Sequence, residues 1–321
     1  MNLLEAVAVT SRSFSQNEGL VNALKAKYSK VIFNDSGATL QGQELINFLS
    51  SADKAIIGIE EISAEVLHQL PNLKVISKYG VGINNLDIDA LKSLGVRLGF
   101  TPGVNKQSVA ELALTLTLLS LRKIHSNHTE ITEGIWSQEK GSELFGKTVG
   151  LLGFGNIGPK FASFLAPFDC NVIFFDEKVF TNQELLHISK DLGLKPDSIH
   201  QDELSAVLHH SDILSIHLPL LPETEDIIST KELSLLKPSI SIINTARGCI
   251  VNESALHAFL SSNLDSFAAF DVYAEEPAIK NPLFELPNFF GTSHRSSLTH
   301  EGINAMGLAA IAGLDDNKIL T

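Results

Sequence analysis

Cysteine is scarce in this sequence: Cys170 and Cys249 are the only two among 321 residues. Two thiols cannot build a disulfide framework and match no zinc-ligand spacing, so both are expected to pack as ordinary thiols and no metal is expected. Basic residues are also in deficit. With 24 Lys and Arg against 37 Asp and Glu, the formal charge is −13. That excludes a nucleic acid or an anionic membrane as the main partner, since holding phosphates takes a surplus of cations. No apolar run reaches the roughly 18 residues of a membrane span. The opening stretch MNLLEAVAVTSRSF has neither the basic flank nor the long apolar core of a signal peptide. The expectation is a cytoplasmic globular protein. Its 44% hydrophobic content and its length suffice for about two domains.

Short β-branched runs alternate with helical stretches: AVAVTS at 6–11, VIFND at 31–35, AIIGI at 55–59, KVISKYG at 74–80 and VRLGF at 96–100. This alternation reads as a parallel α/β sheet. The segment 105–123, NKQSVAELALTLTLLSLRK, is apolar nearly all round and predicts a helix buried between two bodies of protein. A second series follows at 148–153, 171–176, 213–219, 240–246, 267–273 and 289–292, the six strands of a dinucleotide-binding sheet. The tail 297–314 predicts one helix that packs back on the first domain.

The sharpest local signal is Gly153-Phe154-Gly155-Asn156-Ile157-Gly158, directly after an apolar strand and before a helical run. Gly153 would make the tight turn, Gly155 would let the backbone approach a pyrophosphate, and Gly158 would let the helix pack on the sheet. Glycines alone are weak signals. Here the next strand ends in Asp176, placed to accept hydrogen bonds from the adenosine ribose. Asp176 would also repel a 2′-phosphate, so NAD is expected over NADP, with Lys178 the residue that could oppose this.

Three residues suited to carbonyl reduction follow later strands of the same series. Arg247 comes after IINTA, Glu276 after FDVY and His294 after FFGT. An arginine can hold a carboxylate and a developing alkoxide, and a histidine can exchange the proton. Glu276 would fix the ring's tautomer and favour its protonated form. Glu275 competes for that role, and the position immediately before proline favours Glu276. Cys249 could be mistaken for a nucleophile, and His125 with His128 for metal ligands. Packing and a solvated helix face are the expected roles.

At these residues INTARGCIV, DVYAEEP and GTSHRSSLTHEG resemble the signature blocks of the D-2-hydroxyacid dehydrogenases, in a short form like the phosphoglycerate dehydrogenases without their regulatory domain. KYGVGINNLDI, TPGVNKQSVAEL, ELFGKTVGLLGFGNIG and HLPLLPET resemble further segments of that family in the same order. The resemblance implies that Arg247 binds substrate, that His294 is the general acid/base and that Glu276 is its partner. It also implies that Asn156, Ile157, His217, Pro219, Thr224, Thr245, Ala246 and Asp271 line NAD. Gly80, Val81 and Gly82 would hold the substrate carboxylate, with Tyr79 and Asn105 nearby. Lys78 would either pair with a second anionic group of the substrate or be a surface lysine. Departures from the family pattern are Ser293, Arg295, Asn84 and Pro159, the last tolerable in a helix's first turn.

The expected architecture is two doubly wound parallel-sheet α/β domains: a Rossmann NAD-binding domain, 102–293, inserted in a discontinuous flavodoxin-like substrate domain, 1–101 and 294–321. Catalysis would lie in the cleft between them. The expected activity interconverts a small D-2-hydroxy acid and its 2-keto acid by hydride transfer in a homodimer. The alternatives are 3-phosphoglycerate specifically, or an NAD-sensing binding protein without turnover.

Overall fold

The computed structural model describes residues 5–319. Its strands are β1 Ala6–Val9, β2 Lys30–Phe33, β3 Lys54–Ile57, β4 Val75–Lys78, β5 Arg97–Gly99, β6 Thr148–Leu152, β7 Asn171–Phe175, β8 Ile199–Gln201, β9 Ile213–Ile216, β10 Ser241–Asn244, β11 Phe267–Phe270 and β12 Phe289–Gly291. They form a five-stranded sheet, β2-β1-β3-β4-β5, and a seven-stranded sheet, β12-β11-β10-β9-β6-β7-β8. Every pairing in both sheets is parallel. The first order is flavodoxin-like and the second is the dinucleotide-binding order with one further edge strand. Strands β3, β4, β9, β10 and β11 are buried along their whole length, which is why they read as mostly apolar stretches and not as regular alternations. Edge strand β2 alternates between exposed and half-buried positions.

The seventh strand of the larger sheet, β8, went unread in the sequence. It is three residues long, Ile-His-Gln, with one buried position, too short for a periodic signal.

The chain forms two compact units. Unit 1 comprises the described residues up to Asn105 and from Leu298 on; unit 2 is Lys106–Ser297. The second crossing falls after Ser297, later than the 293/294 boundary expected, because residues 294–296 are hydrogen-bonded to Asp271. The His294 amide donates to the Asp271 carbonyl at 2.8 Å. The Arg295 and Ser296 amides donate to its carboxylate, both at 2.8 Å.

In unit 1 the helix His300–Gly313 lies against β4 and the helix Glu18–Lys27. Small residues set that approach. A Cβ on Gly307 would strike Leu20, and one on Gly99 would strike the Gly313 carbonyl. Ser77 in β4 donates to the Ala310 carbonyl at 2.6 Å. Just beyond the helix, Asp315 accepts from Tyr28 at 2.5 Å and pairs with Lys54 at 2.9 Å and Lys27 at 2.8 Å.

In unit 2 the helix Lys106–Leu121 buries Val109, Ala110, Ala113, Leu116 and Leu121 and packs on the helix Ile157–Leu165 and on β10 and β11.

Candidate active site

In an open parallel sheet, ligands bind beyond the carboxyl ends of the strands, where the strand order reverses. In unit 2 the reversal lies between β6 and β9, and β6 ends at Gly153. The three glycines of the turn divide their work as their contacts dictate. Gly153 has φ +98, and a Cβ there would meet the His217 carbonyl at 2.7 Å. A Cβ on Gly158 would meet the Gly153 carbonyl at 2.3 Å, so the helix Ile157–Leu165 starts hard against the turn. Gly155 faces open space. Its backbone at the amino end of a nine-residue helix is therefore approachable by a diphosphate. Asn156 precedes that helix, Ile157 opens it, and Pro159 falls in its first turn, where a missing amide costs nothing.

Asp176, one residue past β7, accepts the Phe154 amide at 2.6 Å and the Lys178 amide at 2.9 Å. Each carboxylate oxygen retains a lone pair for a further donor. Gln201, in the strand missed from sequence, clasps this loop. Its amide nitrogen donates to the carbonyls of Asp176 at 3.1 Å and Lys178 at 2.8 Å, and its oxygen accepts the Phe180 amide at 2.8 Å. The Lys178 ammonium lies 4.4 Å from the centroid of the Phe180 ring, a cation–π contact.

His217, after β9, shares a 3.0 Å hydrogen bond between Nε2 and Ser215 Oγ. Burial pushes its pKa down to about 3, so the ring is neutral. Among the described residues, His217 Nδ1 and the Thr245 hydroxyl are buried polar atoms with no hydrogen-bond partner. Such atoms suit a polar ligand. Thr224 closes the exposed turn after β9, donating to the Pro219 carbonyl at 2.6 Å and accepting the Leu221 amide at 2.8 Å. The open glycine, the ribose-height carboxylate and these orphaned polar atoms fit a dinucleotide.

The side chains expected from sequence to react follow β10, β11 and β12. Asn244, at the end of β10, accepts the Ala246 amide at 3.0 Å and donates to the Arg247 carbonyl at 2.9 Å, fixing the turn that presents Arg247. The next residue, Gly248, lies directly on the backbone of Tyr273, where a Cβ would be 1.9 Å from the carbonyl oxygen. That approach sets the Arg247 turn beside the loop after β11. Arg247 Nη1 donates to the Ala246 carbonyl at 2.6 Å. Burial pulls its pKa down and the charge of Glu276 opposes this; a guanidinium stays cationic at physiological pH.

Glu276 Oε1 accepts the Tyr273 amide at 3.1 Å, and Oε2 lies 2.7 Å from His294 Nδ1. A carboxylate only accepts, so Nδ1 carries the proton and Nε2 is left to exchange one. The pair is partly solvated, with side-chain exposures of 47% for His294 and 35% for Glu276. His294 has φ +48, a left-handed conformation costing a non-glycine residue about 1 to 3 kcal/mol. Thus Arg247, Glu276 and His294 come together within one unit, and Glu276, not Glu275, meets the histidine.

Asp271, expected to line the cofactor, is fully buried. Besides the Arg295 and Ser296 amides, its carboxylate accepts the Thr292 hydroxyl at 2.5 Å. Sequence gave no sign of this, because the donors are mostly backbone. Cys249 is half-buried with φ +62, and His125 packs edge-on against Phe290 at 5.0 Å between centroids.

Lys78, Tyr79, Gly80, Val81, Gly82 and Asn105 belong to unit 1. Lys78 is not a surface residue: it is 6% exposed, donating to the Gly58 carbonyl and, at 3.0 Å, to Asn85 Oδ1. Glu60, equally buried, accepts the Thr10 hydroxyl at 2.7 Å and the Gly58 amide at 2.8 Å. Tyr79 packs edge-on against Phe14, centroids 5.5 Å apart, and Gly80 has φ +123.

Residues 114–296 match the family model described as D-isomer specific 2-hydroxyacid dehydrogenase, NAD binding domain. The chain is 32% identical to the D-3-phosphoglycerate dehydrogenase of Methanocaldococcus jannaschii over 271 residues, which is 84% of this chain and 50% of that protein. It is 31% identical to the hydroxypyruvate reductase of Thermotoga maritima over 281 residues, 85% of this chain and 87% of the relative. The NAD-dependent formate dehydrogenase of Staphylococcus aureus, solved with NAD, superposes with a TM-score of 0.78 at 27% identity, covering 96% of this chain and 94% of its own. The chain spans about half the length of the D-3-phosphoglycerate dehydrogenases it matches. This chain belongs to the D-isomer specific 2-hydroxyacid dehydrogenase family, and unit 2 carries the family's NAD-binding domain.

Proposed function

We propose that the protein is an NAD-dependent oxidoreductase that interconverts a small D-2-hydroxy acid and its 2-keto acid. The observation that carries this reading is the 2.7 Å contact of His294 Nδ1 with Glu276, beside Arg247 and on the same sheet edge as the glycine turn. Gly153, Gly155, Asn156, Ile157, Gly158, Asp176, His217, Pro219, Thr224, Thr245, Ala246 and Asp271 are assigned to the cofactor, which when bound supplies or accepts the hydride at C2. Arg247 holds the substrate carboxylate and polarises the keto oxygen. His294, protonated, gives its Nε2 proton to that oxygen in reduction and takes it back in oxidation. Glu276 keeps the imidazolium oriented and offsets its charge. Gly80, Val81, Gly82, Tyr79 and Asn105 are assigned to the substrate by resemblance.

The substrate is read as small and unphosphorylated, because the ammonium of Lys78 is already bound by Gly58 and Asn85. A homodimer is favoured by one stretch of unit 2 that exposes Ile124, Ile131, Ile135, Phe145 and Trp136, the last by 81%. The protein is placed in the cytoplasm with its NAD pool.

The test is NADH oxidation by the purified protein against glyoxylate, hydroxypyruvate, hydroxypyruvate 3-phosphate, pyruvate and bulkier aliphatic and aromatic 2-keto acids, repeated with NADPH. Fastest turnover of a small unphosphorylated acid, with kcat/KM favouring NADH, is expected. Preference for the phosphorylated acid would overturn the reading of Lys78. Tight NADH binding with no turnover of any acid would replace the enzyme by an NAD-sensing binding protein.

A further inference from the structure

The loop that carries Glu276 has little backbone order of its own. Among the described residues, the one backbone hydrogen bond between members of the span 273–281 runs from the Ile279 amide to the Pro277 carbonyl, at 2.9 Å. The Tyr273 amide is taken by Glu276 itself. Such a loop opens readily unless side chains tie it down. The tie is Glu253. Its Oε1 accepts the Ala274 amide at 2.7 Å and its Oε2 accepts Asn281 Nδ2 at 2.6 Å. One carboxylate therefore closes both ends of the span that contains Glu276. Asn281 is held in register, because its oxygen accepts the Leu283 amide at 3.0 Å and caps the turn Pro282–Glu285, which leaves the nitrogen to face Glu253. Glu253 is fixed in turn by opening the helix Glu253–Ser262, whose cap residue Asn252 accepts the Ala255 amide at 2.9 Å. That helix follows the Arg247 turn along the chain, so the segment presenting the arginine also holds the loop presenting the glutamate.

We propose that Glu253 is a positioning residue for the reaction, stapling both ends of the loop 273–281 so that Glu276 is aimed at His294 Nδ1. This rests on the reading of His294 as the acid/base. The plain role for an acid in that place is to favour the amino end of its own helix, and that role needs only the negative charge. The staple needs more: the reach of a glutamate and two accepting oxygens. Substitutions separate the two roles. Glu253→Asp keeps the charge in the first turn but is shorter by a methylene and cannot span from Ala274 to Asn281. Glu253→Gln keeps the reach but sets donor against donor at Asn281. Adding Asn281→Asp restores a donor–acceptor pair there, keeps an acceptor for the Leu283 amide and leaves the summed charge of the two positions as it was.

The test compares wild type with Glu253→Asp, with Glu253→Gln and with the double variant Glu253→Gln/Asn281→Asp. Three quantities are read: the NADH Kd, kcat with its pH profile, and the downfield proton resonance of the His294 Nδ1–H bonded to Glu276. Displacing a group at the reacting centre by about 1 Å can cost roughly 100-fold in rate. Glu253→Asp and Glu253→Gln are therefore each expected to lower kcat by about 10- to 100-fold, with the NADH Kd within about 3-fold of wild type. Both should also alter the pH profile and lose the resonance. The double variant is expected to recover most of the kcat, the pH profile and the resonance. Normal kcat and resonance in Glu253→Asp, with losses confined to the variants that lack the charge at 253, would overturn the proposal and leave Glu253 a helix-end charge. A double variant as impaired as Glu253→Gln would overturn it too. Should the glutamine variants fail to fold, Glu253→Asp decides alone. If the wild type turns over no 2-keto acid, the functional reading fails on its own. The resonance still decides the positioning role, since its persistence in Glu253→Asp would overturn it and its loss there would uphold it.

Discussion

The two sheets share one architecture and differ at their carboxyl edges. In unit 1 the charged groups at that edge are taken up by neutral protein groups. Glu60 is spent on Thr10 and the Gly58 amide, Lys78 on the Gly58 carbonyl and Asn85, and both side chains are buried. In unit 2 the edge is built in two layers. Buried Asn244 and Asp271 are consumed by backbone groups, and what they hold up, Arg247 and His294, keeps solvent access. Burying a polar group demands partners, and a group whose partners are all protein has little capacity left for a substrate. The contrast sets solvent-accessible side chains at the edge of unit 2 against buried, paired ones at that of unit 1.

The largest test of that contrast is at the reacting layer. His294→Ala and Arg247→Ala should each lower kcat/KM by about 10²- to 10⁴-fold on the best 2-keto acid while leaving the thermal melt of the protein unchanged. Near-normal turnover in a folded variant would remove the assigned roles.

A smaller effect, on stability alone, is expected in unit 1. Burial works against the charge of Asp315, but Lys27, Tyr28 and Lys54 outweigh it and hold its pKa below the ordinary aspartate value. A carboxylate depressed in the folded state contributes stability that is complete above its unfolded pKa, about 3.9, and is lost as pH falls through the lower folded value. Asp315→Asn should therefore destabilise unit 1 at neutral pH by about 1 kcal/mol, a modest figure because Asp315 is partly solvated. Wild type should converge on the variant as acid is added. Thermal melts from pH 7 downward give the answer, and a constant gap between the two at all pH values would contradict it.

The smallest expected effect sharpens the picture of the cofactor end. Gln201→Ala removes three hydrogen bonds from the loop that carries Asp176. NADH affinity should fall a few-fold, corresponding to about 1 kcal/mol, with kcat at saturating NADH unaltered. An unchanged Kd would mean the Phe154, Phe174 and Phe180 cluster beneath the loop suffices to hold it.

What was legible in the sequence follows from how each signal is written. Most strands are buried on both faces and carry apolar, β-branched stretches, so eleven of the twelve are legible, and β8 is not because it buries only Ile199. The glycine turn, Asp176, Arg247, Glu276 and His294 are side-chain signals at fixed spacing. The supporting layer is not. Asp271 and Gln201 act on backbone groups far away in sequence, and any donor or acceptor of the right position would leave the same trace. The burial of Lys78 was equally hidden, since a lysine beside a loop looks solvated until the carbonyl of Gly58 is brought against it by the pairing of β3 with β4.

The return of the chain to unit 1 orders its biogenesis. Unit 2 is one continuous stretch that ends at Ser297, whereas unit 1 is completed by residues on both sides of it. The first sheet, though translated earlier, stays without the helix His300–Gly313 and without the Asp315 partner of buried Lys54 until synthesis has passed both. The half of the molecule that begins first is therefore the half whose last packing elements are made last.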